Sequence, residues 1–178
     1  MTAARIEPMA GRHLDAVLAI DRLVYSVPWS SKTWRDELAA SDRVHLVAVV
    51  EGRVVAHAGT LRQLDELHVI TVATHPDHQG EGIATRLVAD LQRRGVAAGA
   101  AAGTLEVRAS DRRAQRMYGR LGFAPAGIRP GYYRRPDDDA VIMWLHDLQS
   151  AAVAARLDRV APAAVETTTI ETREEISS

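Results

Sequence analysis

Between Leu67 and Leu91 the chain changes its hydrophobic period, and this change constrains the fold more than any other stretch. Leu67-His68-Val69-Ile70-Thr71-Val72-Ala73 is a β-branched run that reads as a strand. His75-Pro76 breaks it, Gly80 and Gly82 follow, and Ile83, Leu87, Val88 and Leu91 then recur at helical spacing. A strand that turns through glycines straight into a helix belongs in an α/β sheet.

The flanking sequence extends that pattern. Arg5-Ile6 can start a short strand. Leu14, Val17, Leu18 and Leu23 mark a helix over about 12–25. Pro28-Trp29-Ser30-Ser31 breaks the chain and offers a serine to cap a helix over 32–40. Val44–Val50, a turn at Glu51-Gly52-Arg53, and Val54-Val55-Ala56 read as a hairpin. Leu105, Val107 and Ala109 alternate with polar neighbours as in a strand, and Ala114, Met117, Tyr118 and Leu121 form a helix face. Residues 124–129 and 140–146 read as a closing strand pair. The expected fold class is α/β, with a mixed central sheet of about six to seven strands flanked by helices. From Gln149 the composition turns to Ala, Thr and Glu, without glycine or aromatics. The expected organisation is one domain over 1–148 and a tail over 149–178. Within that tail, Val153, Leu157 and Val160 can support a short amphipathic helix. Residues 163–178 offer too little apolar surface to offset the entropy of ordering, and removal of 150–178 is expected to leave the domain folded.

Composition excludes several classes. Cysteine is absent, which rules out disulfides, thiolate metal sites and a cysteine nucleophile. Twenty-two basic and 23 acidic side chains leave a formal net charge of −1, so no nucleic acid is expected to be held by bulk charge. No apolar run approaches the ~20 residues of a membrane span, and the N-terminus lacks a signal-peptide core. The expected location is the cytoplasm.

The chemistry concentrates after the 67–73 strand. Gly80 and Gly82 carry no Cβ, so a ligand can approach their N–H groups closely. The first N–H groups of a helix lack internal partners and carry partial positive charge, which suits a phosphate or pyrophosphate. The loop has neither a Walker A ending nor the G-x-G-x-x-G spacing. From the glycines alone, a turn without ligand stands level with an anion site.

The segment Gln79-Gly80-Glu81-Gly82-Ile83-Ala84 nevertheless resembles the Q/R-x-x-G-x-G/A signature of the GNAT acetyltransferases. The resemblance continues through Leu105–Ser110, Ala114, Met117-Tyr118, Leu121-Gly122-Phe123, Gly127-Ile128-Arg129, Tyr132-Tyr133 and Asp139–Met143, with Pro28-Trp29-Ser30 and Glu37-Leu38 upstream. It covers about 5–148. Within that family the chain is similar to the bacterial enzymes that acetylate the N-terminal alanine of a small-subunit ribosomal protein. The resemblance implies acetyl-CoA as donor and no metal. It assigns the acetyl and pantetheine arm to the backbone of Val72, Ala73 and Thr74, and the pyrophosphate to Gln79, Gly80, Glu81, Gly82, Ile83 and Ala84.

Acetyl transfer to an amine needs a base for the ammonium proton and an acid for the departing sulfur. Glu106 lies on the strand face opposite Leu105 and Val107, and a carboxylate there belongs in a cleft or in an ion pair with Arg108. The resemblance makes Glu106 the general base. Tyr118 alone reads as a core tyrosine; the resemblance makes it the general acid, and a phenol is protonated at neutral pH. Asp111 stands where the family usually has asparagine, which this chain lacks altogether. It reads as a cofactor contact or as the N-cap of a helix over 112–121. Tyr25, Trp29, Tyr132 and Tyr133 are candidates for a peptide groove, as against ordinary packing around loops. His75 and His78 have no third ligand beside them, and no metal is expected there. The implied partner is a protein or peptide N-terminus, with no nucleic acid and no membrane. Two alternatives stay open: a GNAT that acetylates lysine side chains or a small amine, and a non-catalytic CoA-binding domain.

Overall fold

A computed structural model describes residues 4–163. Its elements run β1 (Arg5–Pro8), α1 (Leu14–Val24), α2 (Ser31–Ala39), β2 (Arg43–Val50), β3 (Arg53–Gln63), β4 (Glu66–Thr74), α3 (Ile83–Ala97), β5 (Ala102–Arg108), α4 (Arg112–Arg120), β6 (Ala124–Tyr133), β7 (Asp138–Leu145) and α5 (Ala151–Val160). The strands form one sheet of seven in the order β1-β2-β3-β4-β5-β7-β6. Only β4 and β5 pair in parallel, which is the pairing that requires a crossover, supplied by α3.

Strand parity sorts the core. On β2, Val47 and Val49 face α1 and α2 with Leu14, Val17 and Trp34, whereas Leu46 and Ala48 face α3 with Leu87 and Leu91. Burial on both faces explains why the sequence there is continuously apolar. The β2–β3 turn places Glu51 and Gly52 at φ 50° and 78°, the left-handed pair that suits a two-residue hairpin.

Two strands extend beyond the sequence expectation. β3 continues through small and polar residues to Gln63, and β6 runs to Tyr133. β6 is the sheet's edge and nearly every residue of it is exposed, so it carries no alternating apolar signal; Pro125 and Pro130 are tolerated there. Past residue 148, Ser150 caps α5 and Val153, Leu157 and Ala161 pack into the cluster that holds Leu121, Phe123 and Leu145. Of the 163–178 stretch expected to lack order, all but Ala163 lies outside the described residues.

One irregularity opens the sheet. β4 pairs with β5 only from Glu66↔Ala102 to Val69↔Leu105. At that point the β3–β4 register shifts, with Gly59 opposite Thr71 and Thr60 opposite Val69, which leaves Ile70 as an extra residue on β4. A bulge bends its strand and increases the twist. The bulge and the end of β4–β5 pairing coincide, and a cleft opens between the two strands.

Candidate active site

The cleft encloses about 480 Å³ and is lined by Val69–Val72 of β4, Glu106–Arg108 of β5, Asp111, Ala114 and Tyr118 at α4, and the segment after α1 that includes Tyr25 and Trp29. It therefore gathers Glu106, Tyr118, Asp111, Val72, Tyr25, Trp29 and Tyr133. Tyr132 is outside it, half-exposed and edge-on to Tyr133 at 5.1 Å.

Glu106 projects from β5 on the face opposite the core residues Leu105 and Val107. Its Oε2 lies 2.6 Å from His68 Nε2, and its Oε1 lies 3.5 Å from Arg129 Nη2. The ion pair with Arg108 does not form. The Arg108 guanidinium instead stacks 4.3 Å over the Tyr133 ring and donates to the Pro136 carbonyl at 3.0 Å. Burial, with the neighbouring Tyr132, pushes the Tyr133 phenol up to about 12.

Tyr118 sits on the buried face of α4, edge-on to Phe123 at 6.0 Å. Burial raises its phenol well above the usual tyrosine range, so the hydroxyl keeps its proton. Among the described residues that hydroxyl has no hydrogen-bond partner. A buried phenol on a cleft wall with an uncommitted proton is arranged to donate to a ligand.

Tyr25 and Val72, expected to serve acceptor and donor respectively, are bonded to each other. The Tyr25 hydroxyl donates to the Val72 carbonyl at 2.7 Å and receives the Val72 N–H at 3.2 Å. It thereby covers part of the β4 edge that the opened sheet leaves unpaired. Burial pushes this phenol up to about 12. Trp29 packs on Trp34 with ring centroids 5.0 Å apart at the mouth of the same cleft. Asp111 both lines the cleft and caps α4, accepting from Ala114 N–H at 2.9 Å.

β4 leads from the cleft into the glycine loop. Gly80 and Gly82 adopt φ 89° and 77°, a region that L side chains rarely enter. Gln79 donates its side-chain amide back to the Thr74 carbonyl at 3.2 Å, while Ile83 is anchored in the core. Helices α2, α4 and α5 are each capped by a side chain, from Ser30, Asp111 and Ser150. α3 has no such cap at Gly82, so its first N–H groups remain available to an anion. A Cβ on Gly80 would lie 3.4 Å from Arg113 Nη2, which places a guanidinium beside this loop. Among the described residues no group of three or more His, Asp or Glu is placed to hold a metal, and no helix is long and apolar enough to cross a membrane.

The sequence assigns no role to His68, Arg129 or Arg113. Parity places His68 off the apolar face of its strand, but its partner is 38 residues away on another strand. Only the β4–β5 register brings the two together.

Residues 14–123 match the family described as the acetyltransferase (GNAT) family. A [ribosomal protein bS18]-alanine N-acetyltransferase from Escherichia coli K12 is 35% identical over 138 residues, covering 74% of this chain and 90% of that protein. One of the same description from Haemophilus ducreyi is 31% identical over 144 residues, covering 79% and 99%. The crystal structure of the ribosomal-protein-S18-alanine N-acetyltransferase from Escherichia coli superposes with a TM-score of 0.76 at 31% identity, covering 82% of this chain and 94% of that one.

Proposed function

The chain belongs to the GNAT acetyltransferase family, and on that premise we propose that it transfers acetyl from acetyl-CoA to the α-amine at the N-terminus of a protein. The relatives act on ribosomal protein bS18, and that N-terminus, beginning with alanine, is the acceptor proposed for this chain. The observation that carries the reading is the cleft opened by the β4 bulge, with Glu106 and Tyr118 on one lining. The uncapped N-terminus of α3, at the end of the same strand, supports acetyl-CoA as the donor.

In this reading acetyl-CoA supplies the thioester, and the protein supplies the proton transfers. Glu106 is the general base and Tyr118 the general acid. Ala73, Thr74 and the 79–84 loop hold the donor, with Asp111 beside it and Val72, whose N–H and carbonyl are bonded to Tyr25, only lining its path. Trp29 and Tyr133 border the acceptor, and Tyr25 shapes the β4 edge rather than gripping the peptide.

Acceptor choice follows from proton affinity. An α-amine has a pKa of about 7.7–8.0 against about 10.4 for lysine, so a far larger fraction is neutral at pH 7. A single carboxylate base suits the easier proton. The test is a peptide with the N-terminal sequence of bS18 and one internal lysine, incubated with acetyl-CoA and fragmented in a mass spectrometer. Acetyl is expected on the N-terminal nitrogen. Acetyl found mainly on lysine would overturn the α-amine reading in favour of lysine acetylation.

A further inference from the structure

Each turnover of the proposed reaction releases one proton that has to reach water. The ammonium nitrogen enters with three hydrogens and leaves in the amide with one. As the N–C bond forms and the C–S bond breaks, the sulfur takes a proton from Tyr118, which recovers one from the nitrogen. The remaining proton is left on Glu106. With acceptor and donor in place, the cleft side of Glu106 is filled, and its side chain is only 13% exposed.

Among the described residues two groups touch that carboxylate away from the substrates, and they differ in kind. Arg129, at 3.5 Å from Oε1, is always protonated and cannot take another proton. His68 can. Its Nε2 lies 2.6 Å from Oε2, its side chain is 32% exposed, and it is not among the residues that line the cleft. Its Nδ1 has no partner among the described residues. The strands hold this arrangement firmly: His68 and Thr104 are register partners in the paired part of β4 and β5, and Glu106 follows on the same face. A histidine with one nitrogen on a buried base and the other free of protein is built to pass a proton outward.

We propose that His68 is the proton exit of the acetyl transfer, accepting through Nε2 the proton that Glu106 has taken from the amine. The inference rests on Glu106 being the base. In the resting site Nε2–H donates to the ionised Oε2. Once Glu106 is protonated, exchange with solvent moves the ring proton from Nε2 to Nδ1, Glu106 then gives its proton to Nε2, and the ring releases its Nδ1 proton to water, which restores the resting tautomer. His68 touches no substrate and acts as a positioning residue through Glu106.

The experiment compares His68→Gln, His68→Ala and Glu106→Gln in the full chain, with steady-state kinetics on the bS18 peptide. Glutamine keeps an amide that can hold the carboxylate but cannot relay a proton. His68→Gln and His68→Ala are expected to lower kcat by about tenfold or more, with KM for acetyl-CoA and the melting temperature close to wild type. Added imidazole is expected to restore the alanine variant in a saturable way and to leave the glutamine variant unchanged. Wild-type kcat in His68→Gln, or no recovery of His68→Ala with imidazole, would overturn the proton exit. Glu106→Gln separates the two readings. It is expected to lose roughly 10²–10⁴ in kcat, and a fully active Glu106→Gln would remove the base assignment itself.

Discussion

A buried phenol can be a packing residue or a proton donor, and Tyr118 carries the features of both. Its ring packs against Phe123 and the core, while the residue also lines the cleft and its hydroxyl has no hydrogen-bond partner among the described residues. Substitution of the hydroxyl alone separates the roles. Tyr118→Phe keeps the apolar bulk, so the melting temperature is expected to move little. Turnover is expected to fall by about tenfold or more if the hydroxyl reprotonates the sulfur. Calorimetry and steady-state kinetics on the same sample decide it. Wild-type turnover would leave Tyr118 a core residue.

At the scale of elements, the α3 N-terminus and α5 have opposite sensitivities. Among the described residues, its chain neighbours aside, nothing lies within 4 Å of a Cβ built on Gly82. The cost of Gly82→Val comes from its φ of 77°, about 1–2 kcal/mol for an L residue, and from bulk placed over the free N–H groups. The variant is therefore expected to fold with reduced stability and to bind acetyl-CoA several-fold more weakly by titration calorimetry. α5 acts on stability alone. Val153 and Leu157 are buried in the same cluster as Leu145 and Leu148, and each such burial is worth about 1.5–3 kcal/mol. Truncation after Ala163 is expected to leave the urea midpoint unchanged, whereas truncation after Gln149 should lower it clearly. Equal midpoints for the two truncations would show that α5 contributes nothing to the fold.

Across the whole molecule, buried polar groups connect the layers and set the response to pH. Trp34 sits edge-on between His45 and His57 at 5.2 and 5.1 Å. Asp21 accepts from Trp34 Nε1 at 2.8 Å and meets His57 Nε2 at 2.6 Å, and Glu37 meets His45 Nε2 at 3.1 Å. This network ties α1 and α2 to β2 and β3, and so holds the α1–α2 segment that frames the cleft. Burial lowers the His45 pKa below the ordinary 6.5. Below pH 6.5 the unfolded chain binds a proton there that the folded chain resists, so stability is present above that pH and falls as pH drops. The phenols of Tyr25, Tyr118 and Tyr133 are shifted upward by burial. Above pH 10 the unfolded chain loses protons that the folded chain keeps, so stability falls again as pH rises. Denaturation midpoints are expected to form a plateau between about pH 7 and 9.5 and to decline on both sides. A midpoint that keeps rising from pH 7 toward pH 5 would contradict the assignment of His45.

Much of this is legible in the sequence. The change of period at the glycines, the serine cap of α2 and the parity of Glu106 against Leu105 and Val107 are local properties, carried by neighbours within one turn or one pleat. What the tertiary structure alone decided are the meetings between segments. It turned Arg108 onto Tyr133 and gave Glu106 to His68 and Arg129. It also placed the Tyr25 hydroxyl on Val72 and seated α5 on the core. Periodicity reports which face a side chain occupies but not what stands opposite. That depends on strand order, on register and on a bulge at Ile70, which are set by competition among all the packing surfaces at once.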